Sequence, residues 1–512
     1  MKTCFRTLLW LLLLLLLLGG GNAALGEIGI SFSPESPRVG DYVDVTVTPD
    51  REGAKQIIYE LSTPDERVFK GKEDTHFTAS FRPRQEAVYT LKVTVIYGKK
   101  DQETASVTIP VQGAAPLQQG PEVIYSQKDG WWKKSSYGSS TLEKAGCAIF
   151  TLSHAIQRLG FEGEDVLPNA LGKKYANCLV KGGTANERLL TFSGSVYDFV
   201  TQDDLNESAR DIAACLRMGD FFSFSIVIGH IALANGLSED GTKVHIVDSA
   251  PSATFERIKN GTIYYQAEDG SFVPVDSPEA LPGARWFFET QHCSGMEYWL
   301  DLSYCAKRGM RLIRPQWLKL ATADGLRGVS MDQIGSMQCK VLLGEETLRV
   351  NTSDLRWACI GSETPQIAVV NKKSGTVFRN GDGDKIAGFK TIQTGTLLLP
   401  LRIENDSLYV YYKGVFGYVA KNDVDLLALP EAGFQTGIIS LNGKTAGTAT
   451  VKVRSTDSAK GRVLAEWKLG TPVAVAQQKG DFFLVEGKGL RGWIHEKYLT
   501  LNETTETEGA EN

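Results

Sequence analysis

The chain has no CxxC pair, only six histidines in 512 residues, and no second long apolar run. Each absence excludes something. Without CxxC spacing, a thiolate zinc site is not expected. The "NGDGD" run at 380–384 begins like a calcium loop but lacks the closing glutamate, so it reads as a turn. We therefore expect no metal and no cofactor. Excess positive charge is missing too: the net charge is -5, which argues against a nucleic-acid partner. Apolar residues make up 42% of the chain, enough for real cores, and its length implies several domains.

One apolar run is present, at the start. Lys2 and Arg6 precede "LLWLLLLLLLL", and the small residues of "GGGNAALG" follow. The pattern predicts a secretory signal peptide over 1–23, cleaved near Ala23. Cys4 lies ahead of the run and is misplaced for lipid attachment. The expected product is secreted or cell-surface, with no membrane segment after signal removal. Seven cysteines then remain: Cys147, Cys178, Cys215, Cys293, Cys305, Cys339 and Cys359. An odd number leaves at least one thiol unpaired, with Cys147 the candidate. The other six allow up to three bridges.

The rest of the chain divides by pattern. Over 26–112, "DYVDVTVTP", "FTASFRP", "AVYTLKVTVIY" and "ASVTIPV" alternate apolar and polar residues. About seven short strands predict a β-sandwich, which resembles the immunoglobulin-like modules of bacterial surface proteins. "QGAAPLQQGP" reads as a linker. From 121 to 320 helical and strand patterns mix, an α+β region. Then "GTLLLPLRIENDSLYVYYKGVFGYVAK" (395–421) and "GTPVAVAQQKGDFFLVEGKGLRGWIHE" (470–496) repeat 75 residues apart. Gly395, Gly414, Gly417 and Tyr418 match Gly470, Gly489, Gly492 and Trp493, and upstream Arg379 matches Arg454. Matched glycines imply matched turns. The pattern resembles bacterial SH3-type domains, small β-barrels attached to wall-active enzymes, here at 366–427 and 434–501. The acidic tail 502–512 lacks apolar residues and is expected to be disordered.

Chemistry concentrates around "EKAGCAIFTLSHAIQRLG" (143–160). Apolar residues at 148, 149, 152, 155, 156 and 159 have helical spacing, with Gly160 as the stop. Cys147 falls on the first turn, where unpaired N–H groups and the helix dipole stabilise a thiolate. A nucleophilic cysteine needs a base. His154, seven residues on, lies roughly 10 Å along the axis and cannot reach it. "IGHIALANGLSEDGTKVHIVDSAPS" reads as strand, turn, strand, which brings His230 beside Asp248. A carboxylate there fixes the imidazole and stabilises its charged form. His245 alternates to the opposite face and reads as structural.

This region resembles the C39-like cysteine peptidases, which have a papain-like fold. The resemblance rests on "YSQKDGWWKKSSYGSSTLEKAGC", then the distant "GH" strand, "DG" and "VDSAP". It implies Gln127 as oxyanion donor, Cys147 as nucleophile, His230 as base and Asp248 as its orienter. It departs from the family at "GCAIF", where "GCGPT" or similar is common. A second stretch, "HCSGMEYWLDLSYCAKRGMRLIRP", resembles the nucleophile segment of NlpC/P60 wall peptidases and would make Cys293 the nucleophile. The expectation is a secreted multidomain cysteine peptidase: a β-sandwich, a papain-like α+β domain and two SH3-like barrels. Its substrate would be a peptide or peptidoglycan stem peptide, and its repeats would bind cell wall. The rival class is a catalytically inactive surface binding protein or adhesin.

Overall fold

Strands dominate, because alternation runs through most of the chain. The computed structural model describes residues 27–502 apart from 63–75, 116, 182, 203–207, 316, 324, 344–345, 358–365, 405 and 430–433. The expected leader, Cys359 and nearly all of the acidic tail lie outside the described residues. The chain divides into two compact units, 1–190 with 222–310 and 191–221 with 311–512.

The first unit opens with two sheets over one core. Strands Gly29–Ser33, Val43–Thr48 and Thr78–Phe81 form one; Arg38–Val39, Gln56–Ser62, Ala87–Gly98 and Asp101–Ala114 form the other. In Ala87–Gly98, Tyr89, Leu91, Val93, Val95 and Tyr97 point inward, while Val88 and Lys92 are exposed. That is the period of two expected of a strand with one buried face. The core also takes Trp286 and Phe288 from nearly two hundred residues downstream. Trp286–Phe287 extends the first sheet, with Phe287 paired to Ser80. The sequence pattern places the module at 26–112, but its core is completed from outside that span.

The same unit holds an antiparallel sheet in the order Phe221–Val227, His230–Leu237, Lys243–Asp248, Met296–Asp301, Ile263–Gln266, Phe272–Val275. Helix Cys147–Arg158 packs against strand His230–Leu237, and the Thr151 hydroxyl donates to the Ile231 carbonyl at 3.3 Å.

The second unit contains three related β-modules where the repeat pattern predicts two. In the two expected copies, strands 397–404, 407–412 and 415–420 recur as 472–479, 482–487 and 490–495, followed by a short 3-10 turn and a last strand. Both copies carry a bulge at the matching place, Pro400/Arg402 and Val475/Gln477. A further copy occupies 318–357. Its strands Gln338–Leu343 and Glu346–Asn351, turn 352–354 and strand Leu355–Trp357 sit 69 residues ahead of the middle copy. In all three, the last strand pairs with the first: 318–322, 366–370 and 435–439. The expected small barrels are open: among the described residues every sheet runs in linear strand order.

Candidate functional site

The Cys147 helix begins where it does because of Gly146. A Cβ there would stand 2.4 Å from the Leu142 carbonyl, so only glycine lets the chain turn this sharply from the short helix Leu142–Ala145 into Cys147–Arg158. Every residue from Ala148 to Gln157 is buried, which anchors the helix on all sides. Cys147 itself is half-buried, whereas Cys178, Cys215, Cys293, Cys305 and Cys339 are buried. All six thiols are free, so none of the bridges that the cysteine count allows forms among the described residues. The buried ones are unpaired, and some have polar neighbours: Arg314 donates to Cys215 Sγ at 3.5 Å, and Cys339 Sγ bonds the Gly335 carbonyl at 3.3 Å.

His230 follows a two-residue turn, Ile228-Gly229, in which Gly229 has φ +77° and Val227 pairs with His230. The strand then runs to Leu237 and returns from Lys243 to Asp248 through the Ser238–Thr242 turn. The hairpin brings His230 Nε2 to 2.6 Å from Asp248 Oδ1. The Cys147 thiol interacts with the same ring, and the two groups shift one another. Burial alone would raise the Cys147 thiol pKa. The His230 hydrogen bond and charge, with the Ile231 and Ala148 N–H groups, outweigh it and hold the thiol below its usual value. Burial alone would lower His230. Asp248 outweighs it, with help from Cys147, and raises the imidazole to about 10. Asp248 is fully buried, and burial opposes its charge; His230, with the Thr254 hydroxyl and the Ala250 N–H, keeps it below the usual carboxylate range. The Ala250 N–H donates to Oδ1 at 2.8 Å, and the Thr254 and Tyr298 hydroxyls donate to Oδ2 at 2.6 and 2.8 Å.

Thr254 and Tyr298 escaped the sequence reading. Tyr298 reaches Asp248 because Met296–Asp301 pairs with Lys243–Asp248, and no short-range motif encodes that register. Gln127 is held by two hydrogen bonds. Its backbone N–H donates to the Ser249 carbonyl at 2.8 Å, and its Nε2 donates to the Glu143 carbonyl at 2.8 Å. Its Oε1 is buried without a hydrogen-bond partner among the described residues. The amide therefore sits between the residue after Asp248 and the turn leading into Cys147, with one N–H hydrogen uncommitted.

The remaining candidates fall elsewhere. His154 is buried, accepts the Tyr125 N–H at 3.0 Å, and burial pushes it down to about 3. His245 bonds Asn235 at 2.7 Å and is likewise pushed down by burial, to about 4. Cys293 is buried beside Trp286, and burial raises its thiol to about 12. No group of three or more His, Cys, Asp or Glu side chains among the described residues is placed to hold a metal ion.

No known protein-family profile matches the chain, and no curated protein matches it. Among solved structures it is similar to NlpC2 from Trichomonas vaginalis, at 14% identity and a TM-score of 0.12, over 29% of this chain and 52% of that one. NlpC1 from Trichomonas vaginalis matches at 14% identity and a TM-score of 0.11, over 30% of this chain and 51% of that one. The chain thus spans about half the length of both NlpC chains. The SGBP-B protein of a Bacteroides ovatus mixed-linkage glucan utilization locus, solved with a mixed-linkage heptasaccharide, matches at 9% identity and a TM-score of 0.13. That match covers 93% of this chain and 99% of the other.

Proposed function

We propose that the protein is an exported cysteine hydrolase that cleaves amide bonds through a thioester, with Cys147, His230, Asp248 and Gln127 as its working groups. One observation carries the reading: buried His230 is hydrogen-bonded to buried Asp248 at 2.6 Å and interacts with Cys147, with the thiol pKa lowered and the imidazole pKa raised. That combination favours a thiolate–imidazolium pair at neutral pH, and a thiolate is the reactive form.

In this mechanism the Cys147 thiolate attacks the substrate carbonyl. The oxyanion receives hydrogen bonds from the Cys147 N–H and the uncommitted Gln127 Nε2 hydrogen. The His230 imidazolium gives its proton to the departing amine, the C–N bond breaks, and a thioester remains. His230 then takes a proton from water, which attacks the thioester, releasing the acid and restoring the thiolate. Asp248 stays ionised throughout, holding the ring and its charge. Cys293 does not suit the nucleophile's role, because burial keeps its thiol protonated.

The papain-like, C39-like arrangement places the nucleophile on a helix and the base on a sheet, in the chain order Gln127, Cys147, His230, Asp248. The apolar leader directs the chain outside the cell, and the C-terminal β-modules serve to hold cell wall, with a peptide or stem peptide as substrate. The test is Cys147→Ala together with Gln127→Ala. Iodoacetamide should label Cys147 in the wild type far faster than any other thiol. Cys147→Ala should abolish peptide turnover. Gln127→Ala should lower kcat by about 10²–10³ while leaving labelling of Cys147 nearly unchanged. Full turnover in Cys147→Ala sinks the reading.

A further inference from the structure

A buried charge network ties the N-terminal two-sheet module to the loop that carries Gln127. Arg82 follows strand Thr78–Phe81 and is 5% exposed; Asp129, two residues past Gln127, is 1% exposed. Arg82 Nη1 lies 3.3 Å from Asp129 Oδ2. Its Nε donates to the Gly40 carbonyl at 2.6 Å, and its backbone N–H donates to Glu289 Oε1 at 3.3 Å. The guanidinium also lies over the Tyr42 and Trp131 rings, 4.8 and 5.2 Å from their centroids. The cation thus bonds both the two-sheet module, at Gly40, and the loop, at Asp129.

Asp129 organises that loop. Its Oδ1 accepts the Trp131 N–H at 2.9 Å, and its carbonyl accepts the N–H groups of Trp132 and Lys133. The Lys133 carbonyl accepts the Glu143 N–H at 3.3 Å, and the Glu143 carbonyl accepts the Gln127 amide. The path from Arg82 to the residues just ahead of Cys147 is thus a chain of direct bonds. Burial pushes the Asp129 carboxyl up, and Arg82 is the main cation opposing this. Removing the cation leaves a buried carboxylate that must either protonate or drag its loop toward water.

We propose that Arg82 is a positioning residue for the oxyanion side of the site, so that the N-terminal module is a working part of the hydrolase. The inference rests on the Cys147–His230 reading above. It requires Arg82 to act through Gln127, and the test is built on that requirement. Two reactions of Cys147 in the full chain separate the effects. Alkylation by iodoacetamide needs the thiolate but no oxyanion donor. Acylation by p-nitrophenyl acetate needs both: the thiolate attacks the ester carbonyl, p-nitrophenolate leaves, and a thioester forms.

Arg82→Met keeps the stem and removes the charge. It should lower the acylation rate roughly 10–100-fold and leave alkylation within about twofold, as a displaced donor does. Arg82→Lys should restore part of the acylation rate, since it returns the charge without the fork. Arg82→Met with Gln127→Ala should lose no more than Gln127→Ala alone, because groups acting as one unit are not additive. If acylation by Arg82→Met stays at wild-type rate, or if the two losses multiply, the proposal is wrong. If Arg82→Met loses its cooperative melting transition, Arg82→Lys and Asp129→Asn carry the same comparison, and wild-type acylation in both overturns the proposal. A wild-type chain whose Cys147 is not preferentially alkylated overturns the hydrolase reading and this one together. Preferential alkylation with unaffected acylation in the Arg82 variants overturns only this one.

Discussion

Asp248 shows how a single buried carboxylate sets the behaviour of a site. Its four donors are His230, Ala250, Thr254 and Tyr298, which together compensate its burial. Only one of them, His230, carries charge. Because the carboxylate faces that ring, the imidazole keeps its proton to about pH 10, while the thiol loses its proton below its ordinary range. The sign follows directly. As pH rises the thiolate forms earlier than at an ordinary cysteine, so alkylation of Cys147 climbs early and then stays flat. Amide hydrolysis also needs the imidazolium proton, so it should fall as pH approaches 10, while alkylation should not. Asp248→Asn removes the opposing charge and leaves a neutral partner. Its alkaline limb should move to lower pH, and alkylation at neutral pH should slow. Stopped-flow pH profiles of both reactions decide this; coincident alkaline limbs would show that His230 is not the proton donor.

At the level of elements, legibility in the sequence tracked how local the signal was. The helix from Cys147 could be read from its own spacing and its Gly160 stop, and the structure ends it there. The His230–Asp248 proximity followed from strand alternation about one turn. The module at 318–357 could not be found through glycines. Where the other copies have Gly414 and Gly489, each after a lysine of positive φ, and Gly417 and Gly492, this one has Glu345 and Leu348. Only the core positions persist: Val341, Val410 and Val485 are all fully buried. Trp286 and Phe288 were illegible for a related reason, since their partners lie two hundred residues away. Of these glycines, Gly414 and Gly489 serve positive φ, whereas Gly417 and Gly492 mark close approach. A Cβ at Gly492 would stand 2.5 Å from Val453 Cγ1 and 3.0 Å from the Arg454 carbonyl, where Arg454 pairs with Trp493. Gly492→Ala should therefore cost about 1–3 kcal/mol, the usual penalty for overpacking. Thermal melting of the variant measures it, and an unchanged midpoint refutes the close approach.

At the scale of the whole molecule, the second unit is interlocked, which changes what deletion experiments mean. Ala214, from helix Ala209–Arg217, shares a core with Leu401, Tyr409 and Tyr418 of the middle β-module. Arg314 is fully buried and forks onto Asp220 at 2.6–3.0 Å. Glu486, from the last module and 4% exposed, accepts the Ser336 N–H at 2.8 Å and the Ser336 hydroxyl at 2.7 Å in the first. These are contacts of a packed body, so removing one module strips polar partners from another. Glu486→Ala leaves two buried donors at Ser336 unpaired, each costing about 1–3 kcal/mol. Its melting midpoint should drop, and amide exchange at Ser336 should speed up, because that N–H loses its acceptor. Glu486→Gln keeps an acceptor and should retain most of the protection. If Ser336 exchanges at the wild-type rate in Glu486→Ala, the modules are independent beads, and a truncation before residue 435 tests the proposed wall binding without disturbing the rest.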